Sequence, residues 1–171
     1  YLLKILDVRL PLSIQLHPDK AQAEAGYARE TAQHIPAAQR NYGDNNHKPE
    51  SMIALSEFWL LHGFAPLEVM TERLRTRPSL APIAELIARH GLHESYARIL
   101  RATQENLAAW LHPLLDQPAP SQRSANPDYW LHHTCAAMHI ARDALDAGLL
   151  SFYLFNIVHL QPGEGIYQPA R

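Results

Sequence analysis

The sequence predicts a mixed β and α fold in which a β-rich portion is interrupted by a block of helices. Three observations carry this expectation. Residues 12–17, "LSIQLH", alternate apolar and polar side chains, the period-two pattern of a half-buried strand. From Pro66 onward apolar residues recur at helical spacing with short connections. After Gly148, "SFYLFNIVHL" returns to strand-like composition. The order of strands, helices and strands points to a β domain with a helical insertion, not to alternating βαβ units. The expected parts are a β portion over residues 1–65, a helical insertion over 66–150, and a return to strands over 151–171.

Each element has its own signal. "YLLKILDV" is a nearly continuous apolar run and reads as a buried strand, ended by Pro11. In "LSIQLH", Leu12, Ile14 and Leu16 face one way and Ser13, Gln15 and His17 the other; Pro18 closes that strand. "DKAQAEAGYARETAQ" is rich in good helix formers and carries Asp19 near its positive end. "RNYGDNNHKPE" is a loop by its Asn, Gly, Asp and Pro content, and "SMIALSEFWLLHGF" is strand-like. Four helical segments follow between Pro66 and Leu115, then a Pro/Ser-rich loop. Asn126 and Pro127 form an N-cap and first-turn pair that starts a helix expected to run to Gly148. "QPGEG" reads as a hairpin turn, and "IYQPA" begins another strand.

Composition bounds the function. With 171 residues, 47% of them hydrophobic, the chain can bury a core. A net charge of −2, from 15 basic and 17 acidic residues, argues against nucleic acid or an anionic membrane as the main partner. Cys135 is the single cysteine, which excludes an internal disulfide and fits a reducing, cytoplasmic setting. The longest apolar stretch is broken by Ser151, Asn156 and His159 and is too short to span a bilayer. Neither a signal peptide nor an internal repeat is visible, although the first residue is Tyr and not Met.

"HPDK", residues 17–20, poses the sharpest question. His-Pro-Asp is the tripeptide that J-domain co-chaperones place between two helices, but those need a basic helix before it. Here Pro11 and a period of two precede it, which rejects that reading. The alternative uses the polar face of the strand. Gln15 and His17 would lie about 6.5–7 Å apart along one face. They could converge on one divalent ion if Glu50, beside Lys48, supplied a carboxylate. On spacing alone, a solvated strand face and a surface ion pair account for the same residues. Lys4, a cation inside an apolar run, needs either a partner or a functional reason. His132, Cys135 and His139 share one helix face by spacing, but Asp143 and Asp146 continue it, so a solvated polar stripe is the simpler account. The three tryptophans read as packing residues.

"PLSIQLHPDK", "RNYGDNNHKPE", "MIALSEFWLLHGF" and "GEGIYQPA", in that order around a helical block, resemble type I mannose-6-phosphate isomerase (phosphomannose isomerase). The resemblance covers nearly the whole chain. It implies a cupin-type β-barrel (jelly roll) with an inserted all-helical domain. It also implies isomerisation between mannose 6-phosphate and fructose 6-phosphate, with one zinc or similar divalent ion per chain. It assigns Gln15, His17 and Glu50 as metal ligands. It places Lys48, His47 and Lys4 among the catalytic groups, with Ser13 and Lys48 toward the sugar phosphate. The family's fourth ligand is a histidine beyond "QPA", which these residues do not include; a family arginine and early strands are likewise outside them. The resemblance therefore implies a monomeric cytoplasmic enzyme of which these 171 residues are a part, inactive by themselves. The competing expectation is a non-catalytic cupin-like module that binds sugar phosphate.

Overall fold

A computed structural model describes residues 3–170. It is a mixed α and β chain with helices and two small sheets, and it divides into two compact units. One unit takes Tyr1–Leu12 and Trp59–His159; the other takes Ser13–Phe58 and Leu160–Arg171.

The second unit holds the "HPDK" segment. Helix α1 (Lys20–Ala32) starts on a capping box: the Asp19 carboxylate accepts from Gln22 N–H at 2.8 Å, and Gln22 Oε1 accepts from Asp19 N–H at 3.0 Å. It stops at His34, whose φ is +55°, with Ile35 N–H donating to Glu30 O and His34 N–H to Thr31 O. That is a Schellman ending with histidine in the position glycine usually takes. After a loop, β1 (Glu50–Ile53) pairs antiparallel with β4 (Gly165–Gln168), Glu50 opposite Gln168 and Ile53 opposite Gly165. "QPGEG" is a turn, as its glycines predict: Gly163 has φ +89° and Glu164 N–H donates to Gln161 O. It is not a hairpin turn, because the strands on either side of it lie in different sheets.

The first unit carries the core. Its helices are α2 (Leu67–Arg75), α3 (Ala81–Ile99), α4 (Gln104–Leu115), α5 (Pro127–Ala137) and the single turn α6 (Ser151–Leu154). Gly91, at φ +75°, breaks α3 into two helices at an angle. Thr103 caps α4 and Asn126 caps α5, with Pro127 at the first helical position as the sequence predicts. The apolar faces meet around Met70, Leu74, Leu80, Ile83, Ile99, Leu111, Leu131, Leu150 and Tyr153, all essentially fully buried. Each buried Leu or Ile side chain contributes about 1.5–3 kcal/mol. Strands β2 (Phe58–Phe64) and β3 (Phe155–Leu160) form the second small sheet, in this unit but for one end residue of each strand. The notch between Arg77 and α5 is polar. Arg77 makes a bidentate pair with Asp128 (2.8 and 2.7 Å), and Tyr153 O–H donates to the same carboxylate at 2.8 Å.

Several expectations fail. Residues 3–8 and 12–17 form no strand. Leu3, Ile5, Leu12 and Leu16 are 94%, 85%, 64% and 88% exposed, so the apolar faces the sequence predicts as buried are largely uncovered among the described residues. Alternation tells which side chains would share a face, but a strand also needs a neighbour for its N–H and C=O groups. Tyr1 and Leu2, the start of the first predicted strand, lie outside the described residues. The helix expected to run to Gly148 ends at Ala137. His139 takes φ +52°, Ile140 N–H donates to Cys135 O and His139 N–H to Ala136 O, a second Schellman ending with histidine in the glycine position. Residues 151–154, expected as strand, are helical; Ser151, Tyr153 and Leu154 are buried together, and a short run buried on all sides has no diagnostic period.

Candidate metal centre

The site is built within the second unit, between the segment leading into α1 and the loop leading into β1. Two backbone-directed bonds fasten these together. Lys48 N–H donates to Pro18 O at 3.2 Å, and His17 Nδ1 lies 2.8 Å from Lys48 O. A carbonyl can only accept, so Nδ1 carries the proton of that bond. In the neutral ring Nε2 is then a lone pair. It faces a carboxylate oxygen, Glu50 Oε2, at 3.8 Å. Two acceptors turned toward each other call for a positive centre between them, either a proton or a cation. The His17 side chain is 12% exposed, which keeps its orientation fixed.

Gln15 and Glu50 share one partner. The Lys48 ammonium donates to Gln15 Oε1 and lies 3.3 Å from Glu50 Oε1. An amide oxygen and a carboxylate oxygen are thus already gathered around one positive charge. Imidazole nitrogen, amide oxygen and carboxylate oxygen form a borderline-hard donor set suited to zinc and similar divalent ions. Among the described residues no group of three or more His, Cys, Asp or Glu side chains is arranged to hold a metal ion, so the amide of Gln15 is needed for a third donor.

The other named residues sit as follows. Ser13 and His47 are exposed, and neither side chain makes a hydrogen bond among the described residues. Lys4 belongs to the first unit, in an exposed stretch without secondary structure. Sequence reasoning misses two contributors, the carbonyls of Lys48 and Pro18, because main-chain partners leave no mark in side-chain identity.

Residues 1–67 match the catalytic domain of type I phosphomannose isomerase. The mannose-6-phosphate isomerases of Shigella flexneri and Escherichia coli (strain K12) are each 33% identical to the chain over 98% of its length. The chain is thus similar to type I phosphomannose isomerases along nearly its whole length. It covers 42% of each of those two relatives. The solved mannose 6-phosphate isomerase from Salmonella typhimurium bound to substrate and a zinc atom is 32% identical, with a TM-score of 0.74 over 94% of this chain and 41% of that one.

Other histidines of the chain have structural partners. His112 Nε2 lies 2.9 Å from Arg142 O and His132 Nε2 3.2 Å from Leu114 O. His34 and His139 end helices. Because α5 stops at Ala137, His139 does not continue a face with His132 and Cys135, and the predicted stripe is not a stripe. Burial pushes the Cys135 thiol up, away from the thiolate a metal site would need. Trp59 stacks on His159 with ring centroids 4.0 Å apart and packs against Trp130 at 5.4 Å, a packing role in the first unit.

The loop before the site is held from α1. Glu30, 3% exposed, accepts from Tyr42 N–H and from the Asn41 side-chain amide, both at 3.1 Å. The Tyr42 N–H, joined by the Asn41 amide and working against burial, holds this carboxyl below its ordinary value. A depressed carboxyl stabilises the fold above its unfolded pKa and loses that contribution as pH falls through the lower folded value. The midpoint of thermal unfolding should therefore drop as pH is taken from 6 to below the ordinary value of 4.5. Glu30→Gln should be less stable at pH 6 and show a flatter acid limb; parallel limbs would show that Glu30 is not the group responsible.

Proposed function

We propose that this chain is the metal-bearing part of a zinc-dependent aldose–ketose isomerase acting on mannose 6-phosphate and fructose 6-phosphate. The observation that carries the proposal is the His17 Nε2 lone pair facing Glu50, with Gln15 Oε1 and Glu50 Oε1 drawn to one cation. Gln15, His17 and Glu50 would hold one zinc ion. When bound, zinc supplies a Lewis acid that polarises substrate oxygens. The chain's own residues do the rest. The Lys48 carbonyl keeps His17 in one tautomer and one orientation. The Lys48 ammonium offers a positive charge for phosphate or for negative charge developing on a sugar oxygen. His47, exposed and without a bonded partner among the described residues, can carry a proton between neighbouring sugar carbons. Ser13 offers a hydroxyl to the sugar phosphate, and Lys4 is proposed as a further catalytic cation. Further proposals are a cupin-type jelly-roll barrel built from residues 1–65 and 151–171, a helical insertion over 66–150, and a monomeric, cytoplasmic protein without a nucleic-acid or membrane partner. No helix among the described residues is long and apolar enough to cross a membrane.

The test is conversion of mannose 6-phosphate to fructose 6-phosphate by the protein that carries this chain, before and after zinc is stripped by a chelator. Turnover should disappear on stripping and return with zinc. Full activity in the stripped protein would overturn the metal reading, and no conversion in the zinc-loaded protein would overturn the isomerase reading.

A further inference from the structure

One face of α1 is given over to the loop that delivers the candidate metal ligands. Lys20, Ala23, Gly26 and Glu30 recur at spacings of three, three and four and so share that face. At the far end, buried Glu30 takes the Asn41 amide and the Tyr42 N–H. In the middle, the Tyr42 ring packs straight onto the helix backbone: a Cβ at Gly26 would lie 2.5 Å from it. At the near end, Lys20 Nζ donates to Asn45 O at 2.8 Å and to Asn46 Oδ1 at 3.3 Å, while Glu24 steadies it at 3.3 Å. Asn46 N–H in turn donates to Asp44 Oδ1 at 2.7 Å. The residues that follow directly are His47, Lys48 and Glu50. Lys48 then closes the circuit on Pro18 O, one residue before the Asp19 cap of the same helix.

We propose that Lys20 is a positioning residue of the metal centre: by holding Asn45 and Asn46 it sets where Lys48 and Glu50 stand relative to His17. The proposal rests on the metal reading above, and Lys20 itself touches neither Gln15, His17 nor Glu50. An ammonium suits the task because it donates to two acceptors on successive residues at once, which an apolar side chain of equal length cannot do. Arginine can reproduce that geometry in part.

The experiment uses the protein that carries this chain, as the parent and as Lys20→Met and Lys20→Arg. Cobalt(II) is titrated in as a spectroscopic stand-in for zinc, and amide hydrogen exchange is followed in the metal-free proteins. Lys20→Met should weaken cobalt binding about tenfold, the size of effect expected when a supporting contact of a metal site is lost. It should also speed exchange of the Lys48 N–H about tenfold, leaving the Tyr27 N–H within α1 unchanged. Lys20→Arg should recover most of both. Equal cobalt affinity and equal Lys48 exchange in Lys20→Met and the parent chain would overturn the proposal. So would faster exchange along the whole of α1, which marks general loosening. A parent chain that takes up no cobalt would defeat the metal reading by itself; the Lys48 exchange comparison then decides the role of Lys20 alone.

Discussion

Replacing Glu50 by alanine should weaken zinc binding about a hundredfold or more while leaving the fold nearly as stable as before. Loss of a group that merely supports a metal ligand already costs about 10–100-fold. Glu50 is the one anion among the three candidate donors, and both of its oxygens are engaged: Oε2 faces His17 Nε2 and Oε1 faces Lys48 Nζ. Without it, Gln15 and His17 are two neutral donors beside an uncompensated ammonium, an arrangement that repels a divalent ion. The carboxylate side chain is 52% exposed, so its ion pair with Lys48 adds only about 0–1 kcal/mol to stability. The measurement is a competition titration against a chelator of known zinc affinity, with a thermal melt run alongside. Glu50→Gln separates charge from shape: it should recover part of the affinity if geometry matters and none if charge alone does. Unchanged zinc affinity in Glu50→Ala would remove this residue from the ligand set.

The second large effect belongs to stability. Asp128→Ala should destabilise the first unit by about 2–4 kcal/mol, below the full cost of breaking a buried pair because its side chain is 29% exposed. Asp128 satisfies two groups at once. It holds Arg77, whose side chain is 17% exposed, and it is the acceptor for the hydroxyl of Tyr153, which is fully buried. Burial opposes ionisation of Asp128 most strongly, yet hydrogen bonds from Arg77 and Tyr153 outweigh it and leave the carboxyl below its ordinary value. Burial and the Asp128 carboxylate together push the Tyr153 phenol up, so it remains a donor throughout the usable pH range. Truncation leaves a hydroxyl without a partner in the core and a guanidinium without its anion. Denaturant unfolding measures the difference; a loss under about 1 kcal/mol would mean water replaces the carboxylate at little cost.

Helix starts were legible because the signals are local. Asp19 lies at the start of α1, and Asn126 with Pro127 starts α5, each where the sequence places it and each acting within one turn; the Thr103 cap of α4 and the Gln22 half of the α1 capping box emerge only from the structure. Helix ends were less legible. His34 and His139 do what glycine would announce, and histidine carries no such signal, so the helix begun at Pro127 was extended ten residues too far, past Ala137 to Ala147. The candidate ligands were legible only through family resemblance. Spacing by itself was equally consistent with a wet strand face, and residues 12–17 are not a strand among the described residues.

The sequence by itself determined the helical block and the start of α5 at Asn126 and Pro127, because those signals act within a few positions along the chain. Tertiary structure decided that Gln15, His17, Lys48 and Glu50 meet, since a gap of thirty-odd residues is closed by two bonds to main-chain carbonyls, from the His17 ring Nδ1 to Lys48 O and from Lys48 N–H to Pro18 O. Every residue carries a main-chain carbonyl, so nothing in the sequence marks Lys48 O or Pro18 O as a partner; the path of the chain selects them.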